Sequence, residues 1–234
     1  MKLENVIDQS EKMHGRWYGD ACGMAMALEV LGERWSLLIV RELLLGPRRF
    51  SELRADLPAL SARVLTERLA GLAVTGVLQK VTLPPPASVD AYELTPWGRE
   101  AEPMIREMVL WAMRSEHHNS RLPMSATAFA LTLPMTFDPA LGEASRGLTL
   151  GLEIGPHRFL AWVTRKTIVV KRGETRAQDV VIRAEGGNAM LSLFYGRMLQ
   201  DSWLEAGEGR AISGKAEDLA RLIEALHWPD KIAA

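Results

Sequence analysis

The stretch RRFSELRADLPALSARVLTERL, residues 48–69, constrains the fold more than any other part of the chain. It holds two short helical patterns separated only by Leu57-Pro58-Ala59-Leu60. Phe50, Leu53 and Leu57 recur at spacings of three and four, which gives the first pattern one apolar face. Ser61 is a good N-cap for the second pattern, and Val64, Leu65, Leu69 and Leu72 fall on one side of it. Arg63, Thr66, Glu67 and Ala70 fall on the other side, with Arg68 at the margin. Two helices this close share a hydrophobic base and hold an arginine and hydroxyls outward.

The flanks extend this reading. MAMALEVL stops at Gly32, and WSLLIVRELLL stops at Gly46-Pro47, where glycine takes a left-handed cap and proline forbids continuation. Gly76 closes the second short helix. VLQKVTL then reads as a strand, Pro84-Pro85-Pro86-Ala87-Ser88 as a stiff turn, and AYEL as a returning strand. Thr95-Pro96 opens a helix running to about Ser115, with Met104, Met108 and Trp111 along one face. A strand–turn–strand directly after two such helices completes a winged helix-turn-helix, whose second helix can lie in a DNA major groove. The simpler reading is a helical hairpin with a solvated polar face. Charge favours the first: residues 34–80 carry eight Lys/Arg against four acids, although the whole chain has a net charge of −1.

HHNSRLPMS (117–125) breaks the pattern and reads as a linker. Beyond it, ATAFALTL, GLTLGLEIG, RFLAWVT, TIVVKRG and DVVIRAE are short apolar or alternating runs, as in an antiparallel sheet. GNAMLSLFYGRML reads as a helix, GRAISG as a strand and AEDLARLIEALHW as an amphipathic helix. The expected architecture is a mainly α winged helix-turn-helix domain followed by a smaller α+β domain, an antiparallel sheet plus helices. Its parts are an N-terminal extension or dimer arm (1–20), the winged domain (21–116), the linker (117–125) and the second domain (126–234).

Several chemistries find no support. His117-His118 is the only histidine cluster and lacks the partners that a zinc site needs. There is no Gly-rich phosphate loop and no nucleophile elbow, so neither catalysis nor a cofactor is expected. One cysteine among 234 residues excludes an intramolecular disulfide and fits a reducing cytoplasm. No run approaches the ~18 apolar residues of a membrane span, so no membrane insertion is expected.

Cys22, ALEVLGERWSLLIVRELLLGPRRFSELRADLPALSARVLTERLAGLAVTGVL and YELTPWG together resemble the HxlR family of bacterial transcriptional regulators, over about residues 20–115. The resemblance implies a winged-helix homodimer on double-stranded DNA, at a pseudo-palindromic operator, with repression the commoner outcome. It places Ser61, Arg63, Thr66 and Arg68 on the recognition helix. Arg48, Arg49, Ser51 and Arg54, with Lys80 on the wing, would meet phosphates. Arginine can read guanine bidentately, whereas a phosphate contact positions without specifying sequence. For Arg68 the alternative is a structural pairing with Glu52 or Asp56. The chain departs from the family pattern at Ser36, where lysine is common, at Gly23, where proline is usual, and in the wing turn, which lacks basic residues.

After the winged domain the order of elements resembles the sterol-carrier-protein fold, which implies an apolar tunnel. Phe129, Phe159, Trp162, Met190, Phe194, Met198 and Trp203 are candidates to line it for a small apolar ligand, or simply to form the core. In RFLAWVT both alternating sets are apolar, so that strand is expected to be buried on both faces. Cys22 precedes the first winged-domain helix, where a thiol gains reactivity and can sense oxidants or electrophiles. The rival function is a lipid-binding carrier that uses its helical domain only to dimerise.

Overall fold

A computed structural model describes residues 18–85, 88–196, 199–207 and 209–232. The proposed dimer arm lies almost wholly outside the described residues. The chain divides into two compact units between Ile105 and Arg106. The second, residues 106–234, is the larger, not the smaller, of the two.

In the first unit, α1 (Gly23–Leu31) and α2 (Ser36–Leu43) precede the two short helices α3 (Phe50–Asp56) and α4 (Ala62–Val74). Ile39, Val40 and Leu43 of α2 are fully buried, as is Leu53 of α3. Burying each such side chain stabilises by about 1.5–3 kcal/mol. α4 ends in a Schellman motif: the Val77 N–H donates to the Leu72 carbonyl, the Gly76 N–H to that of Ala73. Gly76, at φ +78°, occupies the left-handed position this motif requires. β1 (Leu78–Thr82) and β2 (Asp90–Leu94) then pair antiparallel, Leu78 opposite Leu94. Residues 86 and 87, at the tip of the turn, lie outside the described residues.

Thr95 fixes the base of this hairpin. Its hydroxyl donates to the Gly76 carbonyl at 2.6 Å and accepts from the Gly98 N–H at 3.0 Å. It thereby caps α5 (Pro96–Arg99). The expected single helix from Thr95 to Ser115 is two, because α5 stops and α6 (Glu102–Met113) begins after a turn. Met104, Met108 and Trp111 of α6 are 36%, 46% and 78% exposed.

The second unit departs from expectation in three ways. ATAFALTL is not a strand. It belongs to α7 (Ala126–Thr136), capped by Ser125, whose hydroxyl accepts from the Ala128 N–H. It is apolar nearly all round and buried nearly all round, so it has no amphipathic signature. The sheet is mixed. β3 (Thr149–Ile154), β4 (His157–Val163), β5 (Ile168–Arg172), β6 (Val180–Ala184) and β7 (Gly209–Gly214) take the order β5-β4-β3-β6-β7. The central β3–β6 pair is parallel, Leu150 opposite Val180, and the other pairs are antiparallel. Finally, β4 is buried on one face only: Phe159, Ala161 and Val163 are covered, while Leu160 and Trp162 are half-buried.

The helices α8 (Gly187–Phe194), α9 (Gln200–Glu205) and α10 (Ala216–Glu224) complete this unit. α7 packs on α8 and β5, α8 on β6, and α9 on β7. Phe129 of α7 meets Phe194 of α8 edge-on, with ring centroids 5.3 Å apart, a favourable aromatic geometry.

Candidate nucleic-acid interface

The first unit presents α4 on a buried anchor. Leu65, Leu69 and Leu72 are at most 2% exposed and hold one side of the helix against the core. On the other side Ser61, Arg63, Thr66 and Glu67 are exposed. Ser61 Oγ accepts from the Val64 N–H, so this hydroxyl is also the N-cap. Thr66 Oγ1 donates to the Ala62 carbonyl, which fixes its rotamer and turns its methyl to a definite direction.

Arg63 is the most accessible charge on this face. Its side chain is 88% exposed, and its Nε donates to Glu67 Oε1 at 2.9 Å. The Glu67 hydrogen bond, then the Glu67 charge, raise its already high pKa, so the guanidinium remains a cation. An exposed i,i+4 pair of this kind exchanges partners readily when a stronger acceptor arrives.

Arg68 takes neither of its two expected acidic partners. Its Nη2 lies 2.9 Å from Glu33 Oε2 and its Nε donates to the Arg34 carbonyl. Asp56 and Glu52 are instead engaged by Arg48, at 2.5 and 3.4 Å. Arg48 is 7% exposed, and its backbone exchanges two 2.8 Å hydrogen bonds with Tyr92 of the wing. It therefore ties α3 to β2 from within. Arg54 is also turned inward, donating to the Leu60 carbonyl across the turn between the two helices. Both arginines, expected at phosphates, have intramolecular partners within the motif.

Arg49 and Ser51 stay exposed at the start of α3. The Arg49 N–H donates to Glu52 Oε2 at 2.7 Å, closing the N-terminal turn. Burial acts to raise the Glu52 carboxyl, but this hydrogen bond and the charges of Arg48 and Arg49 outweigh it and hold the carboxyl below its ordinary value. Lys80 of β1 is exposed and bound across the wing to Asp90 at 2.6 Å.

A family model described as HxlR-like helix-turn-helix matches residues 30–120. YvaP of Bacillus subtilis, an uncharacterised HTH-type transcriptional regulator, is 43% identical over 86 residues, 37% of this chain and 80% of that one. The HTH-type transcriptional regulator YodB of the same organism is 35% identical over 89 residues, 38% of this chain and 80% of YodB. An uncharacterised HTH-type regulator of Synechocystis, sll1512, is 34% identical over 90 residues, 38% and 67% of the two chains.

The chain belongs to the HxlR-like helix-turn-helix family.

The HxlR-like region, residues 30–120, contains the exposed face of α4, and Cys22 lies before it. The Cys22 thiol is exposed just before α1; its N–H donates to Asp20 Oδ1, and its sulfur makes no capping bond.

Beyond the HxlR-like region, the candidate tunnel residues are drawn together, but as core. Phe129, Phe159, Met190, Phe194 and Trp203 are at most 1% exposed, and the Trp203 Nε1 donates to the Ala189 carbonyl. Trp162 is half-buried, with Lys171 Nζ 5.1 Å from its ring centroid. Met198 lies outside the described residues. A cavity of about 680 Å³ does exist in this unit, yet none of those five core residues or Trp162 lines it. Asn188, Leu191, Tyr195, Trp228, Arg121 and Lys231 do, a set that no local pattern in the sequence singles out. Among the described residues, no three or more His, Cys, Asp or Glu lie together as metal ligands would, and no helix is long and apolar enough to cross a membrane.

Proposed function

We propose that this protein is a one-component regulator that binds double-stranded DNA as a homodimer through α4 and answers to a ligand held by its second unit. The observation that carries the DNA reading is Arg63: a cation 88% exposed, on a helix whose opposite side is pinned by Leu65, Leu69 and Leu72. A rigid helix with an exposed arginine and oriented hydroxyls has the chemistry that reads base edges, and Arg49, Ser51 and Lys80 flank it as phosphate contacts. Arg48 and Arg54 act as braces and Arg68 as a positioning residue.

Dimerisation is supported by apolar surface. Trp97 of α5 and Met104 of α6, 49% and 36% exposed, line an open cleft of about 290 Å³ together with Met26 and Ala27 of α1. Exposed apolar surface so grouped is what a self-complementary interface covers. A two-fold dimer calls for a pseudo-palindromic operator, and a dimer that covers promoter DNA represses. The test is mobility shift of operator DNA by the wild type and by Arg63→Ala, with sedimentation to establish two chains per site.

The resemblance of the second unit to sterol-carrier proteins supports a ligand-holding role for it. Exposure of Cys22 favours a second input, a thiol that senses oxidants or electrophiles. Cys22→Ser leaves that reading standing only if it abolishes release from DNA by diamide or a quinone.

A further inference from the structure

The large cavity of the second unit combines aromatic and cationic lining residues. One wall is aromatic: Tyr195 and Trp228 meet edge-on, with ring centroids 5.1 Å apart. That corner is fixed from behind. The Tyr195 hydroxyl shares a 2.7 Å hydrogen bond with Thr136 Oγ1 and lies 3.2 Å from Thr132 Oγ1; both threonines are buried in α7. Burial pushes the phenol up to about 12 against the effect of these bonds, so it stays a neutral hydrogen-bonding anchor. A tyrosine held by its tip offers a rigid ring face to whatever enters.

The lining is also cationic. Arg121 and Lys231 line the cavity and, among the described residues, no acid does. Lys231 Nζ is held by the carbonyls of Met113 and Ser115, at 2.9 and 2.8 Å, which fixes its charge in place. The Arg121 guanidinium is exposed and has no ion pair among the described residues. His118, whose ring lies 5.8 Å from that of Trp228, carries a buried Nδ1 with no hydrogen-bond partner among the described residues. Two fixed or available cations, no acid and a flat aromatic wall select an anion with a flat apolar body. A cavity of this volume is in the range of small-molecule sites, about 300–1,000 Å³.

We infer that this cavity is the effector site of the second unit and takes an aryl carboxylate, its ring system against Tyr195 and Trp228 and its carboxylate on Arg121. This rests on the sensor reading above, and it moves the site away from the buried Phe129–Phe194 core. Arginine suits the role because its planar fork matches a carboxylate bidentately.

The experiment is calorimetric titration of the full chain with 2-naphthoate and with its neutral counterpart 2-naphthalenemethanol. The wild type is expected to bind naphthoate at least about tenfold more tightly than the alcohol, the size of a charge-assisted hydrogen bond. Arg121→Ala removes that preference, and Trp228→Leu weakens both compounds together. Phe129→Leu, in the core, changes neither ratio. Equal binding of the two compounds, an unchanged preference in Arg121→Ala, or no binding of naphthoate overturns the assignment. Operator affinity is then measured with and without naphthoate. If naphthoate binds as described but leaves DNA affinity unchanged, the cavity assignment stands and the sensor reading fails.

Discussion

Arg68 Nη2 sits 2.9 Å from Glu33 Oε2, so the margin of α4 is tied to the turn that precedes α2. The same guanidinium donates to the carbonyl of Arg34, whose neighbour Trp35 adopts φ 81°, a left-handed conformation that a bulky side chain rarely takes. The turn is thus held from the side by the helix it supports. If Arg68 positions α4, Glu33→Gln and Arg68→Ala both weaken operator binding, in the same direction and each severalfold. If Arg68 served only as a phosphate contact, Glu33→Gln would leave affinity unchanged or improve it. Mobility shift with the two variants separates these outcomes. The pair is partly exposed, so unfolding free energy falls by only about 0.5–1 kcal/mol in either case.

Arg63 gives the complementary expectation. Its side chain is 88% exposed and its one polar partner among the described residues is Glu67 on its own helix, so Arg63→Ala leaves the denaturant midpoint nearly unchanged. Operator affinity falls roughly five- to a hundredfold, while affinity for unrelated DNA falls much less. A uniform loss on all sequences would assign Arg63 to phosphate.

The Arg48–Asp56 pair is buried on both sides, with side chains 8% and 7% exposed. Arg48→Ala takes this ion pair from a buried carboxylate, so it is expected to cost about 3–5 kcal/mol in urea unfolding. Arg48→Met combined with Asp56→Leu is expected to recover most of that loss, because two apolar groups leave no orphaned charge.

Gly98 admits no side chain. A Cβ there would stand 1.9 Å from the Val77 carbonyl oxygen, backbone against backbone, with no flexible group to yield. Gly98→Ala is therefore expected to destabilise the first unit by about 2 kcal/mol or more, since the hairpin base must move. Thermal denaturation followed by near-UV dichroism reads it directly.

In the second unit Asp179 clamps β3 to the approach of β6, accepting from the Thr149 hydroxyl at 2.7 Å and N–H at 2.8 Å. These two bonds hold its pKa below the ordinary value of 3.8. A carboxyl lowered in the folded state contributes stability above its unfolded pKa and loses that contribution as pH falls through the folded value. Asp179→Asn should therefore flatten the dependence of stability on pH below about 4 and leave the slope near neutrality unchanged. Urea midpoints measured from pH 2.5 to 7 check it.

The parts of this fold that are legible in the sequence are those made by local chemistry. Gly76, Thr95-Pro96 and Ser61 each act on atoms within a few residues, so the ends of α4, the base of the wing and the start of the second short helix are all written in the order of residues. What the order of residues does not reveal was decided elsewhere. The all-apolar ATAFALTL fits a buried strand or a buried helix by pattern alone, and only the Ser125 cap marked it as α7. The parallel β3–β6 pairing depends on a crossover that no local signal encodes. Arg48 and Arg54 carry the same residue type as a phosphate contact, but Asp56 and the Leu60 carbonyl turn them inward. The cavity lined by Tyr195, Trp228 and Arg121 joins residues more than a hundred apart in places, which sequence spacing cannot reveal.

The most direct test of the central claim is the affinity of the full chain for DNA from upstream of its own gene, against unrelated DNA, across a salt series. The account predicts tight binding to one fragment, weakening steeply and linearly on a log–log scale as counterions are released, and roughly five- to a hundredfold weaker in Arg63→Ala. Absence of binding to any fragment at low salt, with and without 2-naphthoate, would contradict it.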